Sequence, residues 1–163
     1  MLSAVIIREV EKEDNALLAS MIRQVFEEHD APQEGTVYSD PTTDDLYGLF
    51  RKERSVLWVA EVDSIPVGCC GIYPTEGLKN NCAELVKFYL SESERGKGTG
   101  KVLMEQCITS ARELDYGSLY LESMPHFSKA IRIYEKLGFR ELNKALGNSG
   151  HTSCDIWMIK DLK

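Results

Sequence analysis

The sequence predicts an α/β domain with a mixed central sheet and helices on both of its faces. Strand-like and helix-like segments alternate in the order β-α-α-β-β-β-α-β-α-β-β, which a layered α/β arrangement accommodates. The chain has 163 residues, a length that suits one unit, 1–163, burying about two-thirds of its unfolded surface. Apolar residues make up 43% and charged residues 28%, ordinary values for a globular protein. No apolar run approaches the roughly 20 residues of a membrane-spanning helix.

Each element has its own signal. Ala4 to Val10 is apolar and β-branched, a first strand. Leu17, Leu18, Met21, Ile22, Val25 and Phe26 recur at helical spacing, so a helix is expected from about Asp14 to Glu28. Asp30 to Pro41 carries Pro, Gly and acidic residues and reads as a loop. Thr42-Thr43-Asp44-Asp45 is a helix start, with Leu46, Leu49 and Phe50 facing inward. Strands at Val56–Val62 and Pro66–Tyr73 flank Asp63-Ser64-Ile65, a hairpin connection. A strand at Ala83–Leu90 follows, then a glycine-rich junction and a helix from about Gly98 to Asp115. That helix is expected to face inward with Val102, Leu103, Cys107, Ile108, Ala111 and Leu114. Ser118–Glu122 is a strand, Ala130–Leu137 lies in a helix, and strands near Phe139–Leu142 and Asp155–Lys160 close the chain.

The junction Arg95-Gly96-Lys97-Gly98-Thr99-Gly100 is the segment a packed core does not call for. Its glycines allow a tight turn and leave the amides open to a ligand. The first N–H groups of the following helix have no internal partner and carry the positive end of its dipole. Such a place binds phosphate or pyrophosphate, and Arg95, Lys97 and Lys101 add positive charge at its rim. An ordinary glycine-rich turn is the alternative. Two other phosphate loops fail on spacing. A P-loop would need Gly at Arg95 and Ser or Thr at Val102, and a dinucleotide fingerprint from Gly96 would need Gly at Lys101.

Further on, Ala130-Ile131-Arg132-Ile133-Tyr134-Glu135-Lys136-Leu137-Gly138-Phe139 forms an amphipathic helix end. Gly138 suits a left-handed C-cap with Phe139 folding back. Tyr134, on the apolar face, reads on pattern alone as a core residue whose hydroxyl finds a partner.

Taken in order, Arg-x-x-Gly-x-Gly and Tyr-x-x-x-Gly-Phe resemble the two signatures of the GNAT N-acetyltransferase superfamily, which here cover Ala83 to Phe139. The resemblance implies a mostly antiparallel sheet in which Ala83–Leu90 and Ser118–Glu122 splay apart to admit acetyl-CoA as the acyl donor. By it, the amides of Arg95, Gly96, Lys97, Gly98, Thr99, Gly100 and Lys101 hold the two phosphates. Backbone groups of Phe88 and Leu90 bond the pantetheine arm, and Tyr134 protonates the departing sulfur. An N–H at the end of the same strand is inferred to polarise the thioester carbonyl. The acceptor is an amine, attacking directly in a ternary complex. Glu84 matches a position where some members carry a catalytic glutamate, acting as base through a water. Its alternative is a strand carboxylate paired with Lys87. Glu122 and His126 are further candidates, and His151 and Thr152 are candidates for the acceptor pocket, against a plain surface hairpin. The chain departs from the pattern at Phe127, where many members carry Asn. Its ending resembles GNAT domains that some bacteria fuse to MarR-type regulators, although no DNA-binding part is present. A non-catalytic acyl-CoA sensor is the alternative function.

Charge and cysteine usage narrow the partners. The net charge is −7; residues 1–54 hold 6 Lys or Arg against 12 Asp or Glu, and residues 55–163 hold 13 against 14. By analogy with the family, the acidic segment lies on the acceptor side, where it would attract a cationic amine and repel nucleic acid. A solvated acidic face is the alternative. Cys69, Cys70, Cys82, Cys107 and Cys154 lack metal-ligand spacing and read as small thiols in a reducing cytoplasm. No metal is expected, nor a membrane. Met1-Leu2-Ser3-Ala4 runs straight into a strand without the plan of a signal peptide. A monomer or homodimer is expected.

Overall fold

The computed structural model describes residues 4–162; Met1–Ser3, part of the expected leaderless start, lie outside the described residues. In chain order the elements are β1 (Ile6–Glu9), α1 (Asn15–Glu28), α2 (Leu46–Leu49), β2 (Val56–Val62), β3 (Ile65–Tyr73), β4 (Cys82–Leu90), α3 (Thr99–Glu113), β5 (Ser118–Ser123), α4 (Ser128–Lys136), β6 (Arg140–Leu142) and β7 (Ile156–Asp161). The seven strands form one sheet in the order β1-β2-β3-β4-β5-β7-β6. Every neighbouring pair is antiparallel except β4 with β5. That exception follows from connectivity, because α3 carries the chain back over the sheet and a crossover returns the next strand parallel.

Two apolar layers sandwich the sheet. α1 and α2 cover one face with Leu18, Ile22, Phe26 and Leu46, all essentially inaccessible. α3 and α4 cover the other with Leu103, Met104, Cys107, Ala111 and Tyr134. The buried positions of α3 step by three and four residues from Thr99 and Gly100 to Ser110 and Ala111. Val102 falls off that stripe and is exposed, correcting its expected inward placement. Met104 and Ser110 take up the stripe instead, and Ser110 accepts the indole N–H of Trp58 at 2.9 Å. Leu17 of α1 is likewise exposed, one position outside the face defined by Leu18 and Ile22. The β2–β3 turn is tighter than its sequence signal suggests. Asp63 and Ser64 both take positive φ, 51° and 67°, the two-residue geometry that matches strand twist, so β3 begins at Ile65.

Two features of β4 position everything that follows. Its register against β3 passes from Gly71↔Val86 to Cys69↔Tyr89, so Lys87 and Phe88 stand opposite Cys70 alone. This is a bulge with the extra residue on β4, and Lys87 takes φ 55° there. The bulge changes which side chains face which layer. Leu85 packs with the α3 layer and Val86 with the α1 layer, yet beyond the bulge Phe88 and Leu90 return to α3 and Tyr89 to α1.

The second feature is close contact between α3 and β4. A Cβ added at Gly100 would lie 2.9 Å from the Phe88 ring and 3.1 Å from Leu90. Gly100→Ala is therefore expected to push α3 off β4 and cost about 1–3 kcal/mol, the usual range for overpacking. Urea unfolding of variant and parent checks it; equal midpoints would show that the helix has slack at this point.

Candidate functional site

β4 and β5 pair only over Cys82–Glu84 and Ser118–Tyr120. Both strands continue, to Leu90 and Ser123, but apart from each other. A cavity of about 570 Å³ fills the opening, walled by β4 from Glu84 to Leu90, by Glu122 to Met124, by α4 and by the end of α1. The Ser91 N–H bonds the Val67 carbonyl at 2.8 Å. By the alternation of an antiparallel ladder, the N–H and C=O of Leu90 then turn away from β3 toward the gap. Arg95 already occupies that carbonyl, donating from Nε at 3.2 Å and Nη2 at 3.0 Å. Its Nη2 also bonds Glu28 at 2.6 Å. The guanidinium thus ties the loop to β4 and α1, and the Leu90 N–H is the group left facing the gap.

At one end of the gap, the glycine loop delivers the start of α3. Gly96 and Gly98 take φ 79° and 86°, a left-handed conformation natural to glycine. A Cβ at either would meet no atom within 4 Å. Gly98 is the N-cap and makes no side-chain cap bond. The first rung of the helix runs from the Val102 N–H to the Gly98 carbonyl at 3.2 Å, so the N–H groups of Thr99, Gly100 and Lys101 have no acceptor within the helix. Buried Glu94 steadies the turn by accepting from the Thr99 hydroxyl at 3.3 Å and Lys97 Nζ at 3.4 Å. Lys101 is exposed and paired loosely with Glu105. The result is an open cradle of main-chain donors with cations at its rim, suited to a diphosphate.

At the other end lies a polar cluster inside an otherwise apolar cavity. Glu84 is 3% exposed. Burial, reinforced by the nearby charge of Glu122, pushes its carboxyl up to about 7, against the opposing pull of Thr75 and Lys87. Glu122 accepts from the Tyr120 hydroxyl at 2.7 Å through one oxygen and from the Ser149 hydroxyl through the other. Asp40 accepts from the Thr42 N–H and hydroxyl at 2.9 and 2.8 Å, and its second oxygen lies 3.3 Å from His151 Nε2. Burial raises Asp40, but those bonds and the charge of Lys87 outweigh it and hold the carboxyl below its ordinary range. Burial and Lys87 lower His151, which favours its neutral form. Lys87 itself is 6% exposed and lowered by burial. It forms no ion pair with Glu84.

Tyr134 closes the wall between the two ends. α4 carries it into the cavity, and its ring meets Phe88 at 6.0 Å and Phe139 at 5.8 Å between centroids. Gly138 at φ 97° turns the chain so that the Phe139 N–H bonds the Tyr134 carbonyl at 3.0 Å, the expected C-cap. Burial raises the phenol well above its usual range, so it keeps its proton.

Of the residues singled out in the sequence, Glu84, Phe88, Leu90, Arg95, Gly96 and Tyr134 line this one cavity, with Glu122, His126 and His151. Lys97, Gly98, Thr99, Gly100 and Lys101 stand next to it, at the start of α3, and Thr152 does not line it. Phe127 packs on Phe26 and His29 at 5.3 Å, part of the apolar wall. Four of the cysteines are buried, Cys154 less so. Lys87 and Asp40 are the site residues the sequence hid: a lysine in an apolar strand and an aspartate in a loop carry no positional signal without the bulge and the fold. No group of His, Cys, Asp or Glu among the described residues is arranged to hold a metal, and no helix among them is long and apolar enough to cross a membrane.

Comparison with known proteins gives a consistent picture. The Acetyltransferase (GNAT) family profile matches residues 22–139. The uncharacterized N-acetyltransferase YjgM of Escherichia coli (strain K12) is 35% identical over 158 residues, spanning 96% of this chain and 95% of that one. A GNAT-family acetyltransferase of Staphylococcus aureus Mu50 superposes with a TM-score of 0.86 at 20% identity, over 98% of this chain and 100% of that one. A second structure, yncA, a putative acetyltransferase of Salmonella typhimurium with its cofactor acetyl-CoA, superposes with a TM-score of 0.76 at 18% identity, over 99% of this chain and 95% of that one.

The buried carboxyl has a consequence for stability. A folded-state value near 7 lies above the unfolded 4.5, so the native state holds this proton more tightly. Relative stability is full below about 4.5 and lost as pH climbs through 7, by about 3 kcal/mol in all. Glu84→Gln, which cannot ionise, should escape that loss. Its stability relative to the parent is expected to rise by about that amount between pH 4.5 and 8 in denaturant titrations; a difference independent of pH would place the carboxylate in contact with water.

Proposed function

The chain belongs to the acetyltransferase (GNAT) family and is an acyl-CoA-dependent acyltransferase; on that premise we propose that it moves the acetyl group of acetyl-CoA onto a primary amine of a small molecule or peptide by direct attack in a ternary complex. The observation that carries the proposal is the gap between β4 and β5, which runs from an uncapped helix start past a buried phenol to a buried carboxyl. Those are the three things this chemistry needs, in the order a long thioester would meet them.

In this reading, the N–H groups at Gly98 to Lys101 receive the diphosphate, and Arg95 acts by fixing the loop rather than by touching phosphate. The main chain of Phe88 and Leu90 receives the pantetheine arm along the unpaired edge of β4. An N–H of the same edge faces the thioester oxygen; one such donor, aimed at a developing oxyanion in a dry site, is worth about 3 kcal/mol. Glu84 takes the proton of the amine, directly or through a water. A carboxyl near 7 suits the task, since it is partly ionised at neutral pH and still basic enough to accept a proton. Tyr134 gives its proton to the thiolate as the carbon–sulfur bond breaks, and its burial keeps it in the protonated form a donor requires.

The direct test is incubation with acetyl-CoA, a mixed panel of primary amines and a thiol reagent. Release of free CoA that depends on an amine supports the proposal, and its absence across a broad panel counts against it. Two variants address the roles. Tyr134→Phe is expected to lower kcat about 10²-fold with little change in KM, the scale of lost acid catalysis; an unchanged kcat would remove Tyr134 from the chemistry. Gly98→Val would place a branched side chain in the open space of the cradle and strain a φ of 86°. Calorimetry is expected to show CoA affinity reduced by about tenfold or more, roughly one lost charge-assisted contact; unaltered affinity would move the diphosphate elsewhere.

A further inference from the structure

The cation in the wall of the cavity has no counterpart in the reaction just described. Lys87 lies on a strand, is 6% exposed, and lines the cavity. Its ammonium makes no hydrogen bond and no contact ion pair with any described residue, while Asp40 and Glu84 act on it only at longer range. No buried side-chain nitrogen or oxygen lacks a partner among the described residues, so the ammonium keeps access to the cavity. A lysine buried this deeply is almost never left without a partner.

Its placement is built in. Strand alternation would send residue 87 to the side of Leu85, into the apolar layer under α3. The bulge opposite Cys70 prevents this and turns Lys87 to the side of Glu84 and Val86, at φ 55°. A non-glycine residue in that conformation is strained. The strain is held in part by the Cys69 thiol, which bonds the Lys87 carbonyl at 3.0 Å. The neighbouring acids do not neutralise the ammonium at contact. Both oxygens of Asp40 are engaged by Thr42 and His151, and both of Glu122 by Tyr120 and Ser149. The cavity therefore presents a cation without a contact partner and, three residues earlier on the same strand, the Glu84 carboxyl beside Thr75.

We propose that Lys87 receives a carboxylate of the acceptor, so that the amine acetylated here belongs to an amino acid or another small amino-carboxylate rather than to a polyamine or a simple alkylamine. This rests on the transferase reading and specifies its substrate class. The acceptor carboxylate pairs with the ammonium, and its amino group is thereby turned toward Glu84 and the thioester. An ion pair formed in this water-poor setting, with one partner already desolvated and fixed, is strong and directional.

The test uses the whole chain with acetyl-CoA and three matched sets of acceptors: free L-amino acids, their α-amides, and the corresponding decarboxylated amines, with spermidine alongside. The expected result is a kcat/KM for the best amino acid at least 30-fold above that of its amide and its decarboxylated amine. Lys87→Met keeps the length and removes the charge; it should bring that ratio to near one, mainly through a rise in KM for the amino acid that the amide does not share. Lys87→Arg should restore part of the ratio. Wild-type preference for spermidine or the amides overturns the proposal, as does an undiminished ratio in a folded Lys87→Met variant. Should no acceptor release CoA, the transferase reading fails separately. Calorimetric titration of the wild type with CoA and each amino acid or amide then decides: amino acids binding and amides not binding supports the carboxylate site, and equal or absent binding of both overturns it.

Discussion

The parting of β4 from β5 after the Glu84–Tyr120 pair is the constraint on which the rest of the structure depends. Main-chain donors and acceptors inside a sheet are satisfied by the next strand, and an edge buried without partners is costly. Here the edge opens into a cavity instead, so its polar groups face space that a ligand or water can fill. The gap is held from both sides. Arg95 pins the far end of β4 to α1 through the Leu90 carbonyl and Glu28. Tyr120 and Ser149 hold Glu122 at the end of β5, and the Tyr120 hydroxyl also accepts the Leu146 N–H at 3.1 Å. Pairing β5 along the whole of β4 would have to displace Arg95 from the Leu90 carbonyl.

The bulge in β4 is the second half of the same device. A regular strand would place every second residue against α3, which works for Ala83 and Leu85 and would bury Lys87 in hydrocarbon. One extra residue moves the lysine to the polar side and sends Phe88 and Leu90 to α3, where they meet Gly100. The bulge thus sets the position of the helix start, through Gly100, and the polarity of the cavity, through Lys87. The two ends of the site are linked by one irregularity in one strand.

Most of the fold and one half of the site could be read before any coordinates. Periodicity placed every strand and all but the short pieces of helix, and the glycine junction announced an uncapped helix start because Gly, unlike Ser or Asp, has no side chain to cap with. The errors are local and physical. Val102 is apolar and so is expected inward, although the three-and-four spacing of Leu103, Met104, Cys107 and Ala111 excludes it. Lys87 reads in the sequence only as a partner of Glu84, because strand alternation is silent about bulges that contain no glycine. Asp40 and His151 lie 111 residues apart in sequence and meet only when the loop before α2 and the loop before β7 fold over the end of β4. Such meetings between distant loops leave no period to detect, and acceptor sites are made of them.

The two ends of the cavity also differ in how they treat charge. At the start of α3, the cations are on the exterior, Lys97 and Lys101 in solvent, and the interior offers neutral N–H groups. That arrangement suits an anion, and the one buried charge beside it, Glu94, is already met by the Thr99 hydroxyl and Lys97. At the β4–β5 fork the charges are inside: Glu84 and Lys87 are buried in the wall of a largely apolar cavity that Glu122 also lines, and Asp40 sits behind His151 at its edge. Burial penalises Glu84, Lys87 and Asp40, and the cluster persists because Asp40 and Glu122 are engaged by hydrogen bonds through both oxygens while Glu84 sheds charge by holding its proton. Lys87 has no hydrogen bond or contact ion pair: burial lowers it, and Asp40 and Glu84 oppose that only at longer range. A ligand carboxylate would supply the contact partner this buried cation lacks, so under the proposal above the least compensated group in the site is also the one that would select what enters it.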